Sequence, residues 1–121
     1  MKIRIKGNSV RLRLTQSEVK TFAATGLVTE KTYFSPANVL TYAVKAAPVA
    51  ELSATFEQNT VTVLMPTAAA KKWTETEQVG TENLFSTGSD TLKILVEKDF
   101  SCLVVRPGED DADAFPHPKK A

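Results

Sequence analysis

The segment Asn8-Ser9-Val10-Arg11-Leu12-Arg13-Leu14 returns as Asn59-Thr60-Val61-Thr62-Val63-Leu64-Met65, 51 positions later (59 − 8). The same shift pairs Lys20 with Lys71, Phe22 with Trp73, Val28 with Val79 and Phe34 with Phe85. One inserted residue then aligns Leu40 with Leu92 and Val44 with Val96. Alternating apolar residues coincide by chance in any two amphipathic strands. A single offset held through turn, helix and following strand does not, so the chain reads as two copies of one unit.

Each copy reads as a hairpin, a short helix and two further strands. Ile3 and Ile5 alternate with Lys2, Arg4 and Lys6, and Val10, Leu12 and Leu14 with Arg11 and Arg13, across the turn residues Gly7-Asn8-Ser9. Thr15-Gln16-Ser17-Glu18 has the S/T-x-x-E spacing of a capping box, in which hydroxyl and carboxylate each satisfy an orphan amide. A helix is predicted over residues 16–25, with Val19, Phe22 and Ala23 as its buried stripe and Gly26 as its left-handed cap. Strands follow over 27–34 and 39–46. In the second copy strands are predicted over 51–57 and 60–65, a helix from an N-cap at Thr67 through Trp73, and strands over 79–85 and 91–97. A last strand over 100–105 follows.

A repeated unit that cannot cover its own sheet edge tends to be closed by its twin. The expected fold is therefore α+β: a duplicated strand-helix-three-strand unit, its antiparallel sheet closed or nearly closed into an eight- or nine-stranded barrel with two outer helices. An open α+β sheet is the alternative. Residues 1–107 read as a single duplicated β-rich domain with halves of about 1–50 and 51–107, and 108–121 as an acidic, proline-containing tail.

Fifteen basic residues against 14 acidic ones give a formal charge of +1, so no global field favours nucleic acid or an anionic membrane. Locally the balance is uneven. Lys2, Arg4, Lys6, Arg11 and Arg13 crowd the start, while Glu109, Asp110, Asp111 and Asp113 cluster near the end. The single cysteine, Cys102, excludes an internal disulfide, and no apolar stretch suits a signal peptide or membrane span, so the expected location is cytoplasmic.

Period 2 places Lys2, Arg4, Lys6, Arg11 and Arg13 on one face of the first hairpin. Lining an interior, they form an anion site in which guanidinium groups grip phosphate or carboxylate oxygens bidentately. Facing outward, they are a solvated face, neutralised by Glu51 and Glu57 or by the acidic tail. The tail acids lack the glycine and alternation of a calcium loop. His117 and Cys102 lack companions for a metal or a catalytic pair. Phe22 and Trp73 read as core anchors, and no catalytic motif or nucleic-acid stacking pattern occurs.

The doubled strand-helix-three-strand order resembles the CYTH-like fold, the tunnel barrels of triphosphatases and adenylyl cyclases. That resemblance implies triphosphate binding, but Lys2, Arg4 and Lys6 stand where the family's E-x-E-x-K acids hold a metal. Met1 to Leu14, Glu97 to Phe100 and the segment 109–118 are similar to a group of small uncharacterised bacterial proteins, a likeness that brings no activity with it. The functional expectation is non-catalytic binding of a small anionic or phosphorylated ligand on the basic strand face. The alternative is a structural or protein-interaction module with no small-molecule site, and the third is triphosphate hydrolysis, vestigial or active. The reading leans against an enzyme and names no cofactor, no catalytic residue and no membrane partner.

Overall fold

The computed structural model describes residues 1–100 and 113–115. Eight strands and two helices follow in order: β1 (Lys2–Lys6), β2 (Ser9–Leu14), α1 (Gln16–Thr25), β3 (Leu27–Ser35), β4 (Asn38–Ala47), β5 (Ser53–Glu57), β6 (Thr60–Pro66), α2 (Thr67–Glu75), β7 (Gly80–Ser86) and β8 (Thr91–Lys98). They form two four-stranded sheets, ordered β1-β2-β8-β7 and β3-β4-β6-β5. Each sheet takes one hairpin from each half of the chain, and the two hairpins meet through a central parallel pair, β2 with β8 and β4 with β6.

The expected barrel does not form. Neither sheet closes on itself, and the sheets are mixed rather than antiparallel. Where a barrel would need two more ladders, side chains stitch the edges instead. Asn83 Nδ2 donates to Glu51 Oε1 (2.9 Å) and to the Leu52 carbonyl (2.8 Å), while the Met1 amino group reaches Glu18 and Glu30 and the Tyr42 hydroxyl donates to the Met1 carbonyl. Among the described residues the interior is filled by side chains. Leu12, Leu14, Ile94 and Val96 of one sheet share a cluster with Val44, Val63 and Met65 of the other. Burying an aliphatic side chain of this kind contributes about 1.5–3 kcal/mol.

Thr15 caps α1 as a full capping box, and Gly26 ends it at φ 76, a conformation open to glycine because no Cβ meets the following carbonyl. The α2 start differs from expectation. Thr67 is its first helical residue, Pro66 stands at the cap, and no side chain caps the amides. Proline suits the position because a helix start has no use for its missing N–H. Phe22 and Trp73 meet edge to face at 5.9 Å between ring centroids, and Trp73 Nε1 donates to the Val79 carbonyl at 3.0 Å. Both rings belong to the core.

The register of the sheets follows the sequence offset. The pairs Val10–Ile94, Leu12–Val96 and Leu14–Lys98 correspond to Val61–Tyr42, Val63–Val44 and Met65–Ala46, 51 or 52 positions away. In β3 and β7 the correspondence slips. Val28 pairs with Val44 but Thr81, not Val79, pairs with Val96, because two more residues precede β7. Of the last expected strand only Phe100 lies within the described residues, where it bridges to Phe115. Cys102, His117 and the Glu109 to Asp111 acids lie outside them.

Candidate functional site

The β1–β2 ladder sets Lys2 opposite Arg13 and Arg4 opposite Arg11, so the five predicted basic residues do share one face. It is the outer face of the β1-β2-β8-β7 sheet, since Val10, Leu12 and Leu14 alternate to the buried side. Of the two placements the sequence leaves open for these residues, the structure has the outward one, and they line no interior. Two arginines directly opposite one another repel, which destabilises a hairpin unless something negative lies close.

The parallel β2–β8 pairing brings in residues that sequence reasoning missed. Ser9 aligns with Lys93, Arg11 with Leu95 and Arg13 with Glu97. Glu97 Oε1 accepts from Arg11 Nε at 2.5 Å and from Arg13 Nε at 2.8 Å, so one carboxylate holds two guanidinium groups. Lys2 Nζ pairs with Asp99 at 3.1 Å, whose side chain is largely buried. Glu97 and Asp99 therefore sit at one end of the face, while Glu82 stands beside Leu95 in the row of Arg4 and Arg11. At the other end Arg4, Lys6 and Lys93 form no ion pair among the described residues. They line an open depression of about 250 Å³ together with Ser9, Arg11 and Leu95.

Of the expected neutralisers, Glu51, Glu57 and Asp113 lie elsewhere. Glu51 receives Asn83, and Glu57 belongs to the other sheet. Asp113 docks at the start of α1: its carboxylate accepts from the Ser17 hydroxyl and amide, and its carbonyl accepts from the Gln16 amide at 3.0 Å. The Ser17 hydrogen bond, with a second from Thr15, holds the Asp113 carboxyl below its ordinary value. The alternation of Lys93, Leu95 and Glu97 was visible in the sequence. What it lacked was the sheet neighbour, which the exchange of hairpins supplies.

Two other features bear on function. Lys98, 7% exposed, points inward from β8 and donates from Nζ to the Thr76 carbonyl at 2.8 Å, with the Phe115 ring 5.7 Å away. Burial lowers its pKa, against a smaller opposing pull from Glu77. A groove of about 400 Å³ between the helices is lined by Phe22, Gly26, Ala46 and Ala70 among others, with Lys71 and Glu75 as its charged members. Among the described residues no three His, Cys, Asp or Glu side chains converge as a metal site would require, and no helix is long and apolar enough to cross a membrane.

No curated protein and no solved structure matches this chain, so the likeness to the triphosphate-tunnel fold gains no support. The sequence profile of a family of unknown function, DUF7009, matches residues 1–119. With nearly its whole length covered, and the basic face lying inside that span, the chain belongs to the DUF7009 family.

Proposed function

We propose that the outer face of the β1-β2-β8-β7 sheet binds a negatively charged ligand, through phosphoryl or carboxylate oxygens, without catalysis. One observation carries this reading: Arg4 faces Arg11 across the ladder, beside Lys6 and Lys93, and among the described residues only Arg11 of these four has a carboxylate partner. An anion seated in the depression relieves that repulsion and takes charge-assisted hydrogen bonds from the guanidinium edges. Exposed apolar side chains, Ile5, Tyr33, Phe34, Phe56 and Leu84 among them, favour a second reading, a protein-interaction module.

Titration calorimetry with inorganic phosphate and with citrate separates the two. Saturable heat that disappears in the double variant Arg4→Thr, Arg11→Thr supports anion binding. Equal, negligible heats in both proteins leave the interaction reading standing and remove this one.

A further inference from the structure

The charges on the face can be counted. Lys2, Arg4, Lys6, Arg11, Arg13 and Lys93 project from its outer side, and the ladders place Glu82 and Glu97 on that side as well. Asp99 reaches Lys2 from the strand end. Among the described residues, six cations against three carboxylates leave a surplus of three positive charges.

The surplus is unevenly placed. Lys2 is matched by Asp99, and Arg11 and Arg13 divide one carboxylate between them. Arg4, Lys6, Arg11 and Lys93 surround the depression, where Leu95 is the apolar element between β2 and β7. Along β1, Arg4 and Lys6 stand about 6.6 Å apart, and Lys93 lies two strands away, about 9.6 Å across the sheet. Cations so spread are not all met by one small oxyanion, whereas two linked phosphoryl groups extend over several of them. A monocarboxylate would neutralise only a third of the surplus.

None of the face positions carries an aromatic side chain, so a nucleobase has nothing to stack on. An open depression also lacks the concave walls that enclose most of a small ligand's surface. Recognition is confined to charge and to the phosphoryl oxygens.

We infer that the ligand group this face selects is a diphosphate, carrying about three negative charges near pH 8, and that whatever is esterified to it stays outside the site. The inference rests on the anion-binding reading above and narrows it from a general anion to one charge class. Lys93 acts as a specificity residue, since it is the cation farthest from β1 and the one a single phosphate anchored at Arg4 and Arg11 reaches least.

The test is calorimetry at pH 8 and fixed ionic strength with four probes: acetate, inorganic phosphate, inorganic pyrophosphate and ADP. Pyrophosphate is expected to bind at least tenfold more tightly than phosphate, with acetate weaker still and ADP within threefold of pyrophosphate. The exposed substitution Lys93→Gln is expected to lower pyrophosphate affinity at least fivefold while changing phosphate affinity less than twofold. Phosphate binding as tightly as pyrophosphate overturns the diphosphate assignment and leaves anion binding intact. ADP binding more than tenfold tighter than pyrophosphate also overturns it, because the base is then being read. If none of the four binds, the underlying reading of the face fails with it.

Discussion

The two sheets share a frame and differ in what they show to solvent. On their inner sides Val10, Leu12, Leu14 and Val96 correspond to Val61, Val63, Met65 and Val44, apolar for apolar. On their outer sides Arg4, Lys6, Arg11, Arg13 and Lys93 correspond to Thr55, Glu57, Thr62, Leu64 and Thr41. Core positions are constrained by packing at near-crystalline density, so equivalent positions keep equivalent character. Outer positions are constrained only by solubility and by what they touch. The cations concentrate on one outer face where the counterpart carries three threonines, Glu57 and Leu64, a contrast that packing of the shared core does not require.

The comparison is broken most forcefully at its centre, where Phe22 and Trp73 occupy equivalent helix positions and touch. Trp73→Ala is expected to cost about 3–5 kcal/mol and Phe22→Ala about 3 kcal/mol in urea unfolding. The tryptophan is worth more because it also gives up its bond to the Val79 carbonyl. A Trp73→Ala loss below about 1 kcal/mol contradicts a core shared by the two halves.

Next in size is the transplantation of one outer face onto the other. Arg4→Thr with Arg11→Thr gives the first sheet the residues of the second. Loss of anion affinity beyond tenfold, about 1.4 kcal/mol, is expected with stability unchanged or slightly raised, because two facing like charges are removed. A drop in stability of about 3 kcal/mol or more, the cost of breaking a buried pair, would show that the arginines serve the fold.

The helix starts give a smaller contrast. Thr15→Ala removes the capping box of α1 and is expected to cost about 1 kcal/mol. Thr67→Ala at the uncapped start of α2 is expected to cost no more than a few tenths. Equal losses at the two sites, in paired denaturation curves, would erase that asymmetry.

Smallest is the exchange at Lys98, whose register equivalent in the other sheet is Ala46. Burial lowers the Lys98 pKa from 10.5, so the unfolded chain binds more protons than the folded one between the lowered value and 10.5. Stability from this group therefore rises with pH through that window and is reduced below it. Lys98→Met is expected to gain up to about 1 kcal/mol at pH 7, a gain that shrinks as pH approaches 10.5. Tyr42 runs oppositely, since burial raises its pKa from 10.0 and its contribution fades as pH climbs past that value, equally in both proteins. A Lys98→Met gain that grows with pH would reverse the assigned sign.

Most local structure was legible from local signals, the N-cap expected at Thr67 excepted. The capping box at Thr15, the Gly26 cap and the tight turn at Gln58 and Asn59, both at positive φ, are each fixed by a few neighbouring residues. The five cations of the first hairpin were found for the same reason, since period 2 alone puts them on one face. What the sequence did not disclose was which hairpin lies beside which. The barrel expectation closed the two halves on one another in antiparallel order, whereas β2 takes β8 and β4 takes β6 in parallel. That pairing added Lys93 and Glu97 to the basic face, which the burial of Val10, Leu12 and Leu14 turns outward. The slip between β3 and β7 was hidden because Val79 matches Val28 in type while lying just outside the strand.

Amide NMR of the full chain during a pyrophosphate titration tests the central claim most directly. The account predicts saturable shifts confined to residues around Arg4, Lys6, Arg11 and Lys93, with the corresponding positions Thr55, Glu57, Thr62 and Thr41 unmoved. Shifts spread equally over both sheets, or confined to the threonine face, would contradict it.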